Sequence, residues 1–132
     1  MRYMLDTNII SAITRKSNVG AVRRSEEATP GSLLTSVIVS AEARFGLAKK
    51  RLDAIQVRLD ALFERVAVVP FEPPADLHYA SLRAALERAG TPIGANDMLI
   101  AAHALALDCT LVTDNEREFR RVPGLRVENW LA

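Results

Sequence analysis

Cysteine, aromatic residues and histidine are scarce in this chain, and each scarcity removes a class of protein. The single cysteine, Cys109, excludes an internal disulfide and suits a reducing compartment, so a cytoplasmic location is expected. Aromatic residues make up only 5% of the 132 residues, so the core has to be aliphatic and rich in alanine. The same shortage leaves no platform on which nucleic-acid bases would stack. No apolar run approaches the ~18 residues of a membrane span. The N-terminus has no basic segment followed by a long apolar core, so no signal peptide is expected. Neither a P-loop nor a G-x-G-x-x-G stretch is present, which argues against the common nucleotide-binding enzymes.

There are two histidines, His78 and His103. General acid–base catalysis near neutral pH most often uses His, so it has few candidates here. His103 lies in a strongly apolar stretch and reads as a hydrogen-bonded core residue. No Cys/His pair has the spacing of a zinc site. Charge of one sign is also missing, since 17 Lys and Arg nearly balance 16 Asp and Glu. Net charge therefore decides nothing about partners, and local distribution has to. The length predicts one domain over residues 1–132, with no internal repeats, linkers or low-complexity segments.

The chain opens with a short buried strand, Tyr3-Met4-Leu5, ending at Asp6. A helix follows through Ile9, Ile10, Ala12 and Ile13, with Thr7 or Asn8 as its expected cap. After a break at Lys16-Ser17-Asn18, Val19 to Glu27 reads as a polar helix. Leu33-Leu34-Thr35 reads as a second strand. Two amphipathic helices follow, Ser36 to Lys50 and Arg51 to Arg65. The first carries Val37, Ala41, Phe45 and Ala48 on one face. Val66 to Val69 is a β-branched strand. Ala75 to Ala89 is a helix closed by Gly90. Asp97 to Leu107 is apolar nearly all round, the mark of a central buried helix. Thr110 to Thr113 is a strand ending at Asp114-Asn115. A helical turn over Glu116 to Arg121 leads to a last strand near Leu125–Val127. Strands alternating with helices predict an α/β fold: a three-layer α/β/α arrangement with a small, mostly parallel sheet.

Acids and amides gather at what this fold makes one edge. Asp6 follows the first strand, Glu42 lies in the helix after the second, Asp97 opens the buried helix, and Asp114-Asn115 follows the fourth strand. Ligands bind at the carboxyl edge of open parallel sheets. Each residue alone has a plainer reading as a cap, a turn-former or a solvated helix acid. Together they point to a site. Clustered carboxylates raise one another's pKa, and a hard divalent cation relieves that repulsion. Mg²⁺ suits such ligands, and Mn²⁺ tolerates them.

Four motifs occur in order: Leu5-Asp6-Thr7-Asn8; Ser40-Ala41-Glu42; Ile93-Gly94-Ala95-Asn96-Asp97 with Ile100-Ala101-Ala102-His103-Ala104; and Val112-Thr113-Asp114-Asn115 with Phe119 and Val122-Pro123-Gly124-Leu125. In these the chain resembles, over essentially its whole length, the PIN-domain ribonucleases, specifically the VapC toxins of type II toxin–antitoxin systems. The resemblance implies a PIN-like fold, Mg²⁺-dependent endoribonuclease activity and inhibition by a cognate VapB-type antitoxin. It also implies an RNA substrate, transfer RNA among the candidates, and a homodimer. Carried over by position, Asp6 and Asp97 match the metal-binding aspartates and Glu42 the third acid. Asp114 and Asn115 compete for the fourth position, with Asp114 taken as catalytic beside Asp6, Glu42 and Asp97. Asn8 and Asn115 are expected to orient a carboxylate or a water.

Arg117, Arg120 and Arg121 lie close in sequence to these acids and are candidates for RNA phosphates. Lys49-Lys50-Arg51 reads more simply as a solvated face. The helices from Ser36 to Arg65 offer a groove for an amphipathic antitoxin helix. Two other classes compete. A receiver-like binding domain also places acids after parallel strands, but Asp6 has no acidic neighbour and no Lys follows Thr113-Asp114. A PIN-like domain that has lost catalysis and acts through protein contacts is the alternative function, and the retained Asp6, Glu42 and Asp97 argue against it.

Overall fold

The computed structural model describes residues 1–132. Its elements run β1 (Tyr3–Leu5), α1 (Thr7–Arg15), α2 (Val19–Glu27), β2 (Leu33–Ser36), α3 (Val37–Lys50), α4 (Asp53–Leu62), β3 (Ala67–Val69), α5 (Ala75–Ala89), α6 (Ala95–Ala106), β4 (Thr110–Val112), α7 (Glu116–Phe119) and β5 (Val127–Glu128). The five strands form one sheet in the order β3-β2-β1-β4-β5, every pairing parallel. β1 is central because both its faces can be buried: Met4 and Leu5 are fully enclosed. Chain direction along the sheet reverses after β3, since the next strand, β4, lies on the far side of β1. Right-handed crossovers then put α1–α4 on one face and α5–α6 on the other, giving the three layers. The expected architecture is therefore observed.

The register places the site. Leu5 pairs with Val112 and Met4 with Leu34, so the residues after β1, β2 and β4 leave the sheet at one level. Two hydrogen bonds tie that edge together: Asp6 N–H donates to Val112 O at 2.9 Å, and Thr35 Oγ–H donates to Leu5 O at 2.6 Å. The core is aliphatic, as the composition requires, with Phe119 and Trp130 as its buried aromatic rings.

Three local expectations change. The cap of α1 is Asp6 itself, extended at φ −81°, ψ 170°, with its carboxylate accepting from Thr7 N–H. Thr7 and Asn8 are already helical, because Asp6 reaches the free N–H first. α6 begins at Ala95, so Asp97 sits in its first turn rather than at its opening. The apolar face Val37-Ala41-Phe45-Ala48 of α3 points to solvent, Phe45 being 67% exposed. α3 is apolar on more than one side, and its phase is set by Ser36, which ends β2 and caps the helix through Ile38 N–H. That phase turns Val39, Ser40 and Leu47 inward. Gly90 closes α5 in the left-handed region at φ 70°, as its type predicts.

Candidate active site

At the carboxyl edge of the sheet, Asp6 is the buried anchor, only 5% exposed. Its Oδ1 accepts from Thr7 N–H at 2.8 Å and its Oδ2 from Thr113 Oγ–H at 2.7 Å. Burial pushes its pKa above the ordinary carboxylate value. The two hydrogen bonds pull it down, and Glu42 and Glu118 push it up again. Thr113 reaches Asp6 because β1 and β4 are parallel neighbours in register, and each of the two residues lies one past the end of its strand.

Asp97 faces Asp6 from the first turn of α6. Burial, then the charges of Asp6 and Glu118, push its pKa up to about 7. Asn115 Nδ2–H reaches Asp97 Oδ2 at 3.5 Å and also donates to Glu118 Oε2. Glu118 is further held by Gly94 N–H, which donates to Oε1 at 2.8 Å. Burial works against the Glu118 carboxylate. The donors Gly94, Asn115 and Asp97, with the Arg121 charge, outweigh it and hold its pKa below the usual value. The two carboxylates are thus shifted in opposite directions, Asp97 up and Glu118 down.

Glu42 closes the cluster from α3. Thr7 Oγ–H donates to its Oε1 at 2.8 Å and Asn96 Nδ2–H to its Oε2 at 3.2 Å. Four carboxylates from four separate segments thus meet at one edge: Asp6, Glu42, Asp97 and Glu118.

Asp114 is not among them. Side chains alternate as the chain leaves β4: Thr113 turns in to Asp6, Asp114 turns out, and Asn115 turns in. Asp114 is exposed and accepts from Asn129 Nδ2–H at 3.1 Å. Asn8 is exposed on the first turn of α1, and the bonds that orient carboxylates come instead from Thr7, Asn96, Thr113 and Asn115. Glu118 was not singled out by the sequence. The available signal was its spacing, three residues after Asn115 and so on the same side of one helical turn.

Among the basic residues, Arg121 lies against the cluster, donating to Pro92 O at 3.1 Å and lowering the Glu118 pKa. Arg120 is paired with Glu116 at 2.8 Å, and Arg117 is exposed. His103 is a core residue, as expected. It is 2% exposed, with Nδ1 at 2.8 Å from Ser36 Oγ.

No three His, Cys, Asp or Glu side chains converge closely enough to cage an ion by themselves. The donor set nevertheless fits a hard divalent cation. Mg²⁺ is usually held by one or two carboxylates with several waters, and it does not need a protein cage. Asp6 and Asp97 face each other with raised pKa values, the condition such an ion relieves.

A groove of about 140 Å³ runs from this cluster between α1, α3 and α4, lined by Thr7, Ile10, Glu42, Gly46, Lys50 and Ile55 among others.

Residues 3–125 match the family model described as the PIN domain. The chain belongs to the PIN-domain family, among its VapC toxins. It is 40% identical over 132 residues to Ribonuclease VapC2 of Rickettsia felis, covering 98% of each chain. It is 34% identical over 131 residues to the tRNA(fMet)-specific endonuclease VapC of Shigella flexneri, again with 98% of each covered. The structure of VapBC2 from Rickettsia felis bound to a DNA fragment from their promoter aligns with a TM-score of 0.88 and 37% identity, covering 98% of this chain and 99% of that one. The VapC assignment thus rests on full-length similarity in both sequence and fold.

Proposed function

We propose that this VapC-family protein is a Mg²⁺-dependent endoribonuclease toxin, with Mn²⁺ able to substitute, that hydrolyses RNA phosphodiester bonds. The observation that carries this reading is the meeting of Asp6, Glu42, Asp97 and Glu118 at one sheet edge, with Asp97 pushed to about 7. Relatives named as ribonucleases and as a tRNA(fMet)-specific endonuclease support RNA, and transfer RNA in particular, as the substrate.

Asp6 and Asp97 would hold the ion, with Glu118 beside them. A divalent cation supplies Lewis acidity there, lowering the pKa of a bound water and offsetting charge on the reacting phosphate. The chain's own residues do the rest. Thr113 and the Thr7 N–H fix Asp6 in one orientation. Asn115 holds Asp97 and Glu118 together. Glu42 orients a water toward the phosphodiester. Arg121 and Arg117 offer positive charge to the flanking phosphates.

The relatives' VapBC complexes support a VapB-type antitoxin as partner. The groove beside Thr7 and Glu42 suits it, since a segment lying there closes the approach to the site. The protein acts in the cytoplasm and as a homodimer. No helix is long and apolar enough to cross a membrane.

The test is cleavage of total cellular RNA by purified, antitoxin-free protein with Mg²⁺, with Mn²⁺ and with chelator, beside Asp97→Asn. Discrete fragments that need metal and vanish in the variant support the reading, and their ends give the substrate. Cleavage that survives both chelator and the substitution overturns it. A folded protein that cleaves nothing points to a PIN-like domain acting through protein contacts.

A further inference from the structure

Glu42 differs from the other acids of the cluster in how it is held. It comes from the middle of α3, on a side chain with three rotatable bonds, and it is only half-buried. Left alone, such a carboxylate samples several rotamers. Here each oxygen has its own donor: Thr7 Oγ–H on Oε1 at 2.8 Å, Asn96 Nδ2–H on Oε2 at 3.2 Å. The donors come from opposite layers. Thr7 is the first residue of α1, fixed by Asp6, whose carboxylate takes its N–H. Asn96 lies in the first turn of α6, directly before Asp97. The carboxylate is therefore clamped between the two elements that carry the aspartates.

Resting on the nuclease reading above, we propose that Thr7 and Asn96 are positioning residues that hold Glu42 in a single orientation, so that Glu42 serves the reaction through a water. A carboxylate has about four lone-pair directions, two on each oxygen. The clamp uses one on each and leaves the other two to accept from a water. An orientation set in advance does not have to be found during the reaction. Thr7 thus has two tasks in one residue: its N–H orients Asp6 and its hydroxyl orients Glu42. Asn96 has a matching place, tying the helix of Asp97 to Glu42. Its exposure at the mouth of the site means that little of the fold depends on it.

The experiment has two arms. The first is nuclear magnetic resonance of the intact protein. The Asn96 side-chain amide is expected away from the free-amide position and to move to it in Glu42→Ala. An Asn96 amide already at the free position, unmoved by Glu42→Ala, overturns the clamp whatever the protein's activity. The second arm is kinetic, on an RNA that the wild type cleaves, with Asp97→Asn as the control for the nuclease reading. Thr7→Val and Asn96→Ala are expected to lose about 10–100-fold in kcat, the usual scale for residues that orient a site group, with KM within about twofold. Thr7→Ser, which keeps the hydroxyl, is expected to recover most of the loss. Thr7→Val and Asn96→Ala cleaving at the wild-type rate beside an inactive Asp97→Asn would refute the clamp and leave the nuclease standing. An Asp97→Asn as active as wild type would refute the nuclease reading, and the resonance arm would still decide the clamp.

Discussion

Replacing Asp97 by Asn is expected to stabilise the metal-free protein while abolishing its metal response. Asp97 ionises at about 7 in the fold, against an ordinary value of 3.8. Burial is the largest cause, followed by the charges of Asp6 and Glu118. The folded state thus holds this proton more tightly than the unfolded chain does. The stability it contributes is fully present below about pH 3.8 and is lost as pH rises toward 7. Three pKa units correspond to about 4 kcal/mol at 1.36 kcal/mol each. Asp97 is only half-buried, so solvent screening reduces this to about 1–2 kcal/mol. For a domain of this size that is about 4–7 °C in melting temperature. Asn is shaped like the protonated acid and carries no charge to be buried beside Asp6 and Glu118. In chelator at pH 8, Asp97→Asn should therefore melt about 4–7 °C above wild type, with the gain shrinking as pH falls toward 4. Saturating Mg²⁺ should then raise the wild type and leave the variant unmoved. Differential scanning calorimetry at several pH values makes the measurement. An Asp97→Asn that melts at or below wild type at pH 8 in chelator would refute the electrostatic account of the cluster.

Other outcomes follow from particular contacts. Glu118→Gln should lose metal-dependent cleavage by about 10-fold or more, whereas Asp114→Asn should cleave like wild type, because Asp114 faces Asn129 and not the cluster; both are read in the same RNA assay. Burial lowers the pKa of His103 against the opposing Pro70 carbonyl and Glu72 charge. Its share of stability is therefore intact above pH 6.5 and falls as pH drops below that value, so the stability difference between wild type and His103→Gln should change with pH between 6.5 and 5 in urea titrations. A loss of slope-dependence in that comparison would remove His103 from the acid response. Gly46 lines the groove, and a Cβ there meets nothing within 4 Å. Gly46→Leu should accordingly fold and cleave RNA, yet bind its antitoxin at least about tenfold more weakly, a change of about 1.4 kcal/mol measurable by calorimetry.

Much of this was legible because the fold is built from short buried strands and capped helices, whose signals are local. Tyr3-Met4-Leu5 ends at an acid, and parallel pairing to Thr110–Val112 turns that fact into a position at the sheet edge. Asp97 and Glu42 could be placed on helices that start from the same edge. What could not be read was which way side chains turn at element ends. Asp114 and Asn115 are adjacent, and only the alternation out of β4 separates them. Glu116 and Glu118 look alike in a four-residue helix. Glu116 pairs with Arg120 and Asn129, while Glu118 turns to Asn115 and to Gly94, the latter 24 residues away in sequence. The Thr7 hydroxyl meets Glu42 from a neighbouring helix of the same layer and the Asn96 amide meets it from the opposite layer, and no periodicity reports such meetings. In α3 the stripe Val37-Ala41-Phe45-Ala48 has the spacing of a core face, yet Val39, Ser40 and Leu47 are the residues that turn inward.

A divalent-metal centre formed by the acids at the carboxyl edge of the sheet is the central proposal. The measurement that tests it is anomalous diffraction from crystals grown with Mn²⁺, collected for wild type and Asp97→Asn. The expected result is a peak between the Asp6 and Asp97 carboxylates, at ligand distances of about 2.0–2.3 Å, that disappears in the variant. A peak elsewhere, or an unchanged peak in Asp97→Asn, would contradict it.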